Sequence, residues 1–280
     1  MFLVLIFAHA NGYPPETYQT FLEPFLPQYQ VQAIYLRPFW PGSDPGSLKD
    51  WRIFRDDYLD FITPWMENHQ KTNPGSHRII GVGHSLGAMT TLMAAIIRPD
   101  YFRVLVLMEP VLFPQIHGRV MGALAPLNVI ERFHPLIRRT LRRKTHFPDR
   151  EVMFQNYRGK PIFEGLSDQV LGDYVTGLAA ETADGGFTLK YSPAWEAKVY
   201  ETGGIADWFV WRNLEKVSCP VLVIRGEETY VLRDHTLKKM VNRLPVGQSY
   251  TMPGTGHLVP LEAPGKTAEF VLNFLKGIES

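Results

Sequence analysis

The sequence of 280 residues lacks several features that mark special classes of protein. It has a single cysteine, Cys219, which excludes an internal disulfide and fits a reducing compartment. Its formal net charge is only +1, so no overall field favours nucleic acid or an anionic membrane as a partner. No apolar run has the length that a membrane-spanning helix requires. We therefore expect a cytoplasmic protein that neither spans a membrane nor binds nucleic acid.

Motifs for metals and nucleotide cofactors are missing as well. The sequence contains no H-E-x-x-H and no cluster of cysteine and histidine, so we expect no metal ion. No G-x-G-x-x-G follows the first apolar run, which argues against a dinucleotide site. We expect no cofactor, so any chemistry has to come from the side chains themselves.

The strongest motif is G-x-S-x-G at residues 83–87. A short β-branched run at residues 78–80 precedes it, and small and apolar residues at helical spacing follow from 86 to 97. A strand, a tight turn and a helix are the context in which this motif holds a nucleophilic serine. The pattern therefore predicts Ser85 as a nucleophile at the end of a strand.

Short apolar runs recur along the chain and alternate with helical patterns. The runs are at residues 2–7, 31–36, 104–108 and 220–225, and a final short strand is expected at 248–252. Ala8-His9-Ala10 resembles a signal cleavage site, but the run before it is short and lacks a preceding Lys or Arg, so we interpret it as a buried strand. The alternation predicts an α/β fold with a mostly parallel sheet flanked by helices. Ligands of such sheets bind beyond the carboxyl ends of the strands.

This alternation stops between residues 112 and 211, where mixed-polarity helical segments predominate. We predict an inserted helical cap at 112–211, with the sheet domain formed by 1–111 and 212–280. The expected cap helices cover residues 135–144, 150–157, 167–178 and 193–200. A basic run at 138–144 has few nearby acids, which predicts a solvated helix face or, alternatively, attraction of anionic substrates or lipid surfaces.

A serine hydroxyl needs a base within hydrogen-bond reach and an acid that orients that base. His257 lies in a glycine-containing loop between the last predicted strand and the last helix, so it is expected opposite Ser85. In the chain order serine, acid, histidine, Glu109, Glu227 and Glu228 all qualify as the acid. The N–H of Leu86, the residue after the nucleophile, is the expected first donor of an oxyanion hole.

Several segments taken together resemble the α/β-hydrolase superfamily over nearly the whole length. They are His9-Ala10-Asn11-Gly12, Arg37 with Gly42-Ser43, the 83–87 motif, residues 220–226 and Gly256-His257. The resemblance implies the second oxyanion donor in the first of these segments, at the N–H of Asn11, with Ala10 as its neighbouring possibility. The superfamily usually carries its acid as an aspartate three residues after the equivalent of Gly226, where this chain has Thr229.

Some lipases and dehalogenases of the superfamily take the acid from the end of the preceding strand, where Glu109 stands. The resemblance therefore favours Glu109, with Glu228 as the alternative acid. It implies a serine hydrolase that cleaves a carboxylic ester or related acyl substrate through an acyl-enzyme. Alternatives are C–C bond or amide hydrolysis, a lyase, or a weakly active ligand-binding or sensor protein.

The expected partner is a small-molecule acyl substrate, and no feature of the sequence indicates an oligomeric state. Three aromatic residues lie near the end of the predicted cap: Trp208, Phe209 and Trp211. We expect them either to face the pocket, where they would favour a partly apolar substrate, or to pack against the core.

Overall fold

A computed structural model of the protein describes residues 3–72, 78–114 and 135–279. Its centre is a six-stranded parallel sheet in the order β2-β1-β3-β4-β7-β8. These strands are β1 (Leu3–Ala8), β2 (Tyr29–Ile34), β3 (Ile79–His84), β4 (Phe102–Met108), β7 (Val221–Gly226) and β8 (Gly247–Met252). The predicted α/β class and parallel sheet are confirmed.

The register of the sheet brings the carboxyl ends of its inner strands to one level. Ala8 pairs with Gly83, His84 pairs with Met108, and Met108 pairs with Ile224. The residues that follow β1, β3, β4 and β7 therefore meet at one edge. The strand order reverses at β1, whose neighbours are β2 and β3, and ligands of open α/β sheets bind beside such a reversal.

The helices flank this sheet and also form most of the segment between β4 and β7. They are α1 (Gln19–Leu22), α2 (Arg52–Thr72), α3 (Leu86–Ile97), α4 (Pro135–Leu141), α5 (Arg150–Arg158), α6 (Asp168–Leu178), α7 (Pro193–Glu201), α8 (Asp207–Asn213), α9 (Asp234–Val241), α10 (Val259–Glu262) and α11 (Pro264–Glu279). Of the helices in the described residues, none is both long and apolar enough to cross a membrane.

The segment between β4 and β7 contains helices α4 to α8, and its residues 115–134 lie outside the described part of the chain. Three of its helices are capped at their N-termini by Asp149, Ser167 and Ser192, whose side chains each accept a backbone N–H of the first turn. An antiparallel hairpin of β5 (Ala179–Glu181) and β6 (Phe187–Leu189) was not predicted. Strands of three residues are too short to show an alternating pattern.

Apolar residues at helical spacing between 48 and 68 predict a helix with one buried stripe, formed by Trp51, Phe54, Tyr58, Phe61 and Ile62. In the structure four of them are buried, but Phe61 is 48% exposed. The helix itself begins at Arg52, after a 3₁₀ turn at Pro45–Ser47.

Candidate active site

Ser85 occupies the sharp turn between β3 and α3. Its φ of 55° and ψ of −114° are strained values for a residue other than glycine. The turn also needs glycine on both sides: a Cβ on Gly87 would lie 2.0 Å from the carbonyl oxygen of Ala8, and one on Gly83 would lie 2.5 Å from that of Gly87. The two glycines of the motif therefore allow α3 to start directly against β1, with Ser85 at the carboxyl edge of the sheet.

Glu109 follows β4 directly and is fully buried. It too has a positive φ, 50°, and its N–H donates to the carbonyl oxygen of Ile224 at 2.7 Å. Its carboxylate accepts the N–H of Gly226 on Oε1 and the hydroxyl of Thr229 on Oε2, both at 2.7 Å. A buried carboxylate requires such donors, since desolvation without them is unfavourable. Two residues at and after the end of β7 thus hold the Glu109 side chain.

His257 lies between these two groups. Its Nε2 is 2.9 Å from Oγ of Ser85, and its Nδ1 is 2.9 Å from Oε2 of Glu109. A carboxylate can only accept, so Nδ1 carries the proton and Nε2 is free to accept the serine hydroxyl proton. The structure therefore brings Ser85, His257 and Glu109, which are distant in sequence, into one hydrogen-bonded relay.

Glu228, the alternative acid, is exposed and has no hydrogen bond to His257 in the described part of the chain. Its backbone N–H donates to Thr255, so the residue holds the loop before His257 through its main chain. Glu227 accepts the N–H of Gly254 in the same loop. Glu227 and Glu228 therefore form hydrogen bonds with this loop and not with the His257 imidazole.

Thr229 is a site residue that sequence reasoning treated only as a missing aspartate. Its hydroxyl contacts the same carboxylate oxygen of Glu109 that faces His257. A short hydroxyl residue in place of the usual aspartate could have indicated this role. If the acid is Glu109 at the end of β4, its carboxylate needs a hydrogen-bond donor at the position of Thr229. The threonine leaves room for Glu109 and supplies that donor.

A second chain of hydrogen bonds supports His257 from behind. His84 Nε2 is 2.9 Å from the carbonyl oxygen of His257, and its Nδ1 is 2.7 Å from the hydroxyl of Tyr18. A carbonyl only accepts, so Nε2–H donates and Nδ1 accepts the Tyr18 O–H. Burial, with the nearby His257, lowers the pKa of His84 to about 3 and keeps the ring neutral. His84 occupies a variable position of the G-x-S-x-G motif, so the motif predicts packing there and gives no signal for this contact.

The two expected oxyanion donors lie at the same edge. Ala10 N–H already donates to the Tyr18 hydroxyl at 3.2 Å, whereas the hydrogen bonds of the described residues give no protein acceptor to the N–H of Asn11 or Leu86. The Asn11 side chain is held at both ends, accepting the hydroxyl of Tyr191 and donating to the carbonyl oxygen of Glu196 at 3.3 Å. Of the two possibilities in this loop, Asn11 is the one with a free N–H.

His9 fixes the start of this loop. Its Nε2 accepts the N–H of Leu36 at 3.1 Å, and its Nδ1 contacts the carbonyl oxygen of Ala10 at 2.8 Å. Burial lowers the pKa of His9 to about 4, so the ring stays neutral. The imidazole thus ties the end of β1 to the segment after β2.

A cavity of about 1040 Å³ opens beside His257. Tyr13, Phe163, Tyr200 and Tyr230 contribute aromatic surface to its wall. Of the two alternatives for the rings near the end of the predicted cap, packing against the core fits Trp211, which is fully buried. Trp208 and Phe209 are not part of the described cavity wall. No group of three potential metal ligands occurs in the residues that the structure describes.

Arg143 and Glu196 form an ion pair in the cavity wall. The Arg143 guanidinium donates to Oε1 of Glu196 at 2.8 Å and lies 2.6 Å from Oε2. Burial raises the pKa of Glu196, and the charge of Arg143 opposes that shift. Because Glu196 also accepts from the Asn11 side chain through its backbone, this pair connects the cavity wall to the oxyanion loop.

Comparison with known sequences identifies relatives that match most of the chain. The sequence model described as "Alpha/beta hydrolase family" matches residues 5–270. The uncharacterized hydrolase YugF of Bacillus subtilis (strain 168) is 26% identical over 256 residues, 89% of this chain and 81% of the relative. The type I acyl-CoA thioesterase mpaH' of Penicillium brevicompactum is 26% identical over 181 residues. That match covers 60% of this chain and only 38% of the thioesterase.

Solved structures with the same fold cover almost the entire chain. E-2-(acetamidomethylene)succinate hydrolase aligns with a TM-score of 0.76 and 20% identity, covering 99% of this chain and 92% of its own. The thioesterase domain from the curacin biosynthetic pathway aligns with a TM-score of 0.74 and 16% identity, covering 97% and 91%. At these identities the comparison establishes a shared fold.

Proposed function

The chain belongs to the alpha/beta hydrolase family, and from that premise we propose that it is a serine hydrolase of carboxylic esters or related acyl compounds. The observation that carries the proposal is the relay from Ser85 Oγ through His257 to the buried Glu109 carboxylate, with 2.9 Å at each step. Such a relay is what a weakly nucleophilic hydroxyl needs at neutral pH.

In the proposed mechanism, Ser85 Oγ attacks the ester carbonyl carbon while Nε2 of His257 takes the hydroxyl proton. Glu109 keeps the imidazole in the required tautomer and stabilises its positive charge. The N–H groups of Leu86 and Asn11 bind the oxyanion, and the loss of one such donor typically costs about 10²- to 10³-fold in rate. His257 then returns the proton to the leaving alcohol, and water, activated by the same imidazole, releases the acyl group from Ser85.

We further propose that residues 112–211 form a cap over the sheet domain of 1–111 and 212–280. The support is the composition of the cavity wall. Arg143, Lys160 and Tyr200 come from the intervening segment, whereas Gly12 and His257 come from loops at the sheet edge. A small-molecule substrate enclosed between them has its reacting carbonyl at the sheet edge, and a cytoplasmic location remains part of the proposal.

Thioesters are a second candidate substrate class within the same chemistry. One relative is named an acyl-CoA thioesterase, although the chain spans little more than a third of it. C–C bond hydrolysis, amide hydrolysis and lyase chemistry use the same relay with other substrates. The ligand-binding or sensor alternative differs from all of these, because it needs no activated serine.

The test is covalent labelling with a fluorophosphonate, followed by kinetics on short p-nitrophenyl esters. We expect labelling of the parent, none of Ser85→Ala, and loss of ester hydrolysis with that substitution. Glu109→Gln should lower kcat by up to about 10⁴-fold, as the matching change does in serine proteases. The matched Glu228→Gln variant should stay near the parent. An unlabelled parent supports the sensor alternative, and a large loss confined to Glu228→Gln makes Glu228 the acid.

A further inference from the structure

The wall of the cavity beside His257 is strongly cationic on one side. Helix α4 and the turn after it contribute five basic side chains, and a sixth lies directly before the 3₁₀ turn Pro161–Phe163. These residues are Arg138, Arg139, Arg142, Arg143, Lys144 and Lys160.

Most of these cations have no ion-pair partner among the residues that the structure describes. Arg143 is paired with Glu196, but no ion pair recorded among the described residues involves the other five. Lys144 and Lys160 instead lie over the rings of Phe147 and Tyr157, 4.9 Å and 4.2 Å from the centroids. The α4 side of the cavity therefore keeps an excess of positive charge, which favours an anion.

The remaining acids of the wall, Glu228 and Glu262, contact the loop that carries His257. Glu262 accepts the N–H of Gly256, directly before His257, and Glu228 donates its N–H to Thr255 in the same loop. The wall thus places a carboxylate beside His257, whereas four cations of α4 and the turn after it lack an ion-pair partner in the described part of the chain. An anionic group of the substrate is repelled by this carboxylate if it lies next to the scissile bond. The same group at the far end of the substrate is attracted by the cations of α4.

We propose that the substrate of this site carries a carboxylate or phosphate remote from the scissile bond, bound between helix α4 and Lys160. The inference rests on the proposed hydrolase function and specifies its substrate class. Guanidinium groups bind both kinds of anion well, because their planar fork matches two oxygens at once.

Lys160 supports this assignment independently. Burial and the charges of Arg143 and Arg139 lower its pKa to about 8. A further cation at this place is therefore unfavourable in the free protein, and a bound anion relieves the repulsion. The concave wall favours a small molecule over a lipid surface, which would contact the outward face of α4 instead.

The experiment compares substrates that differ only in remote charge. p-Nitrophenyl hydrogen suberate carries a terminal carboxylate, and p-nitrophenyl methyl suberate is its neutral partner. We expect kcat/KM to be at least about tenfold higher for the anion, chiefly through KM, and the advantage to shrink with added salt. Arg139→Gln and Lys160→Gln should each lose about fivefold or more on the anion only. Lys276→Gln, an exposed lysine on α11 outside the cavity, is the control.

A second pair separates phosphate from carboxylate recognition. The butanoyl ester of 1,4-butanediol monophosphate and its dephosphorylated form place the charge on the alcohol part instead of the acyl part. A preference in either pair supports the proposal and identifies the source of the anion. Equal kcat/KM within both pairs overturns the proposed anion site. If phosphatidylglycerol vesicles stimulate neutral-ester hydrolysis while neither pair shows a preference, the basic residues bind a membrane surface instead, and the proposal is likewise overturned.

Binding keeps this inference separable from the hydrolase proposal. Calorimetry of monomethyl suberate and dimethyl suberate with the Ser85→Ala variant requires no turnover. Tighter binding of the monoanion, weakened by Arg139→Gln, supports the anion site even if the parent hydrolyses nothing. Equal or undetectable binding of both compounds, together with hydrolysis of the neutral ester, leaves the serine hydrolase intact and removes the anion site.

Discussion

Thr229, three residues after the end of β7, contacts the proposed acid directly. Its hydroxyl donates to Oε2 of Glu109 at 2.7 Å, the oxygen that also faces Nδ1 of His257. Hydrogen bonds to charged groups contribute about 1.5–3 kcal/mol, and leaving a buried acceptor unpaired is costly. Thr229 thus defines the orientation of the carboxylate more than it contributes to packing.

We expect Thr229→Val to lower kcat on p-nitrophenyl esters by about tenfold, since part of that hydrogen-bond energy is lost from the relay. Thr229→Ser retains the hydroxyl and should stay within about threefold of the parent. The measurement is the kcat and KM of the three proteins, with circular dichroism to verify folding. A Thr229→Val enzyme as active as Thr229→Ser would mean that Gly226 and His257 alone orient Glu109.

Lys160 makes the anion preference sensitive to pH. Burial, with Arg143 and Arg139 and against the attraction of Glu196, lowers its pKa to about 8. The side chain is therefore charged below pH 8 and neutral above it, while the suberate carboxylate stays ionised throughout. We expect the kcat/KM ratio of the anionic to the neutral suberate ester to be highest at pH 6.5–7 and to fall as pH rises through about 8.

The ratio removes the pH dependence of the serine and histidine chemistry, which the two esters share. Lys160→Arg provides the matched control, because an arginine remains protonated over this range and the ratio should then be flat. A parent ratio that is also flat from pH 6.5 to 9.5 would show that Lys160 does not contact the anion.

Sequence reasoning reached these residues unequally. Ser85 and His257 carry local signals, a G-x-S-x-G between strand and helix and a glycine-containing loop after the last strand. Glu109 could be favoured only through the resemblance, because three glutamates satisfied the chain order. Tyr18 and His84 are 66 positions apart in sequence, and no local pattern announces a contact that exists only in the folded chain. Their catalytic and supporting roles remain predictions.

At the scale of elements, the site depends on how closely two loops approach. A Cβ on Gly226, the last residue of β7, would lie 1.9 Å from the carbonyl oxygen of Gly256. Gly226 also donates its N–H to Glu109, so one residue spaces the His257 loop and holds the acid. A backbone oxygen cannot move aside as the end of a flexible side chain can. Any side chain at position 226 would therefore force the whole His257 loop to shift.

Gly226→Ala should therefore reduce kcat/KM by about 10²-fold, the typical effect of an ångström-scale misplacement, and destabilise the fold by about 1–3 kcal/mol. Gly265→Ala is the matched control: a Cβ there meets nothing within 4 Å, and it lies in the first turn of α11. That variant should keep its activity and equal or slightly exceed the parent in stability. Both effects are measured by ester kinetics and urea unfolding, and a fully active Gly226→Ala would contradict the close approach.

The elements themselves were largely predictable where the sequence pattern is strong. All six strands of the parallel sheet were predicted, with ends displaced by one to a few positions. Residues 16–26 follow two prolines in a pattern that predicts one helix, but the structure has the short α1 between two 3₁₀ turns, with Pro24 in the second turn. Proline lacks the N–H that a continuous helix would use, and the hairpin β5–β6 forms through contacts beyond its own short strands.

At the scale of the whole molecule, the sheet around β7 determines how accessible the single cysteine is. Cys219 is 4% exposed and lies two residues before β7, which is paired on both sides, with β4 and β8. Flanking hydrogen bonds join Leu105 N–H to the carbonyl oxygen of Pro220, and Val221 N–H to that of Val246. Burial raises the pKa of the thiol to about 12, so little of the reactive thiolate exists at neutral pH.

We therefore expect iodoacetamide at pH 8 to label the native protein at least about 10³-fold more slowly than the urea-unfolded chain. Exposing Cys219 requires opening a central part of the sheet, and the free energy of unfolding of such a domain is typically about 5–15 kcal/mol. Mass spectrometry measures the labelled fraction, and Cys219→Ala provides the background because the chain has no other cysteine. The labelling midpoint in urea should coincide with that of circular dichroism, and ester hydrolysis should survive native treatment. Fast labelling while the dichroism is still native would mean that β7 separates from its neighbours without global unfolding, and the strand that orients Glu109 would then be a locally unstable one.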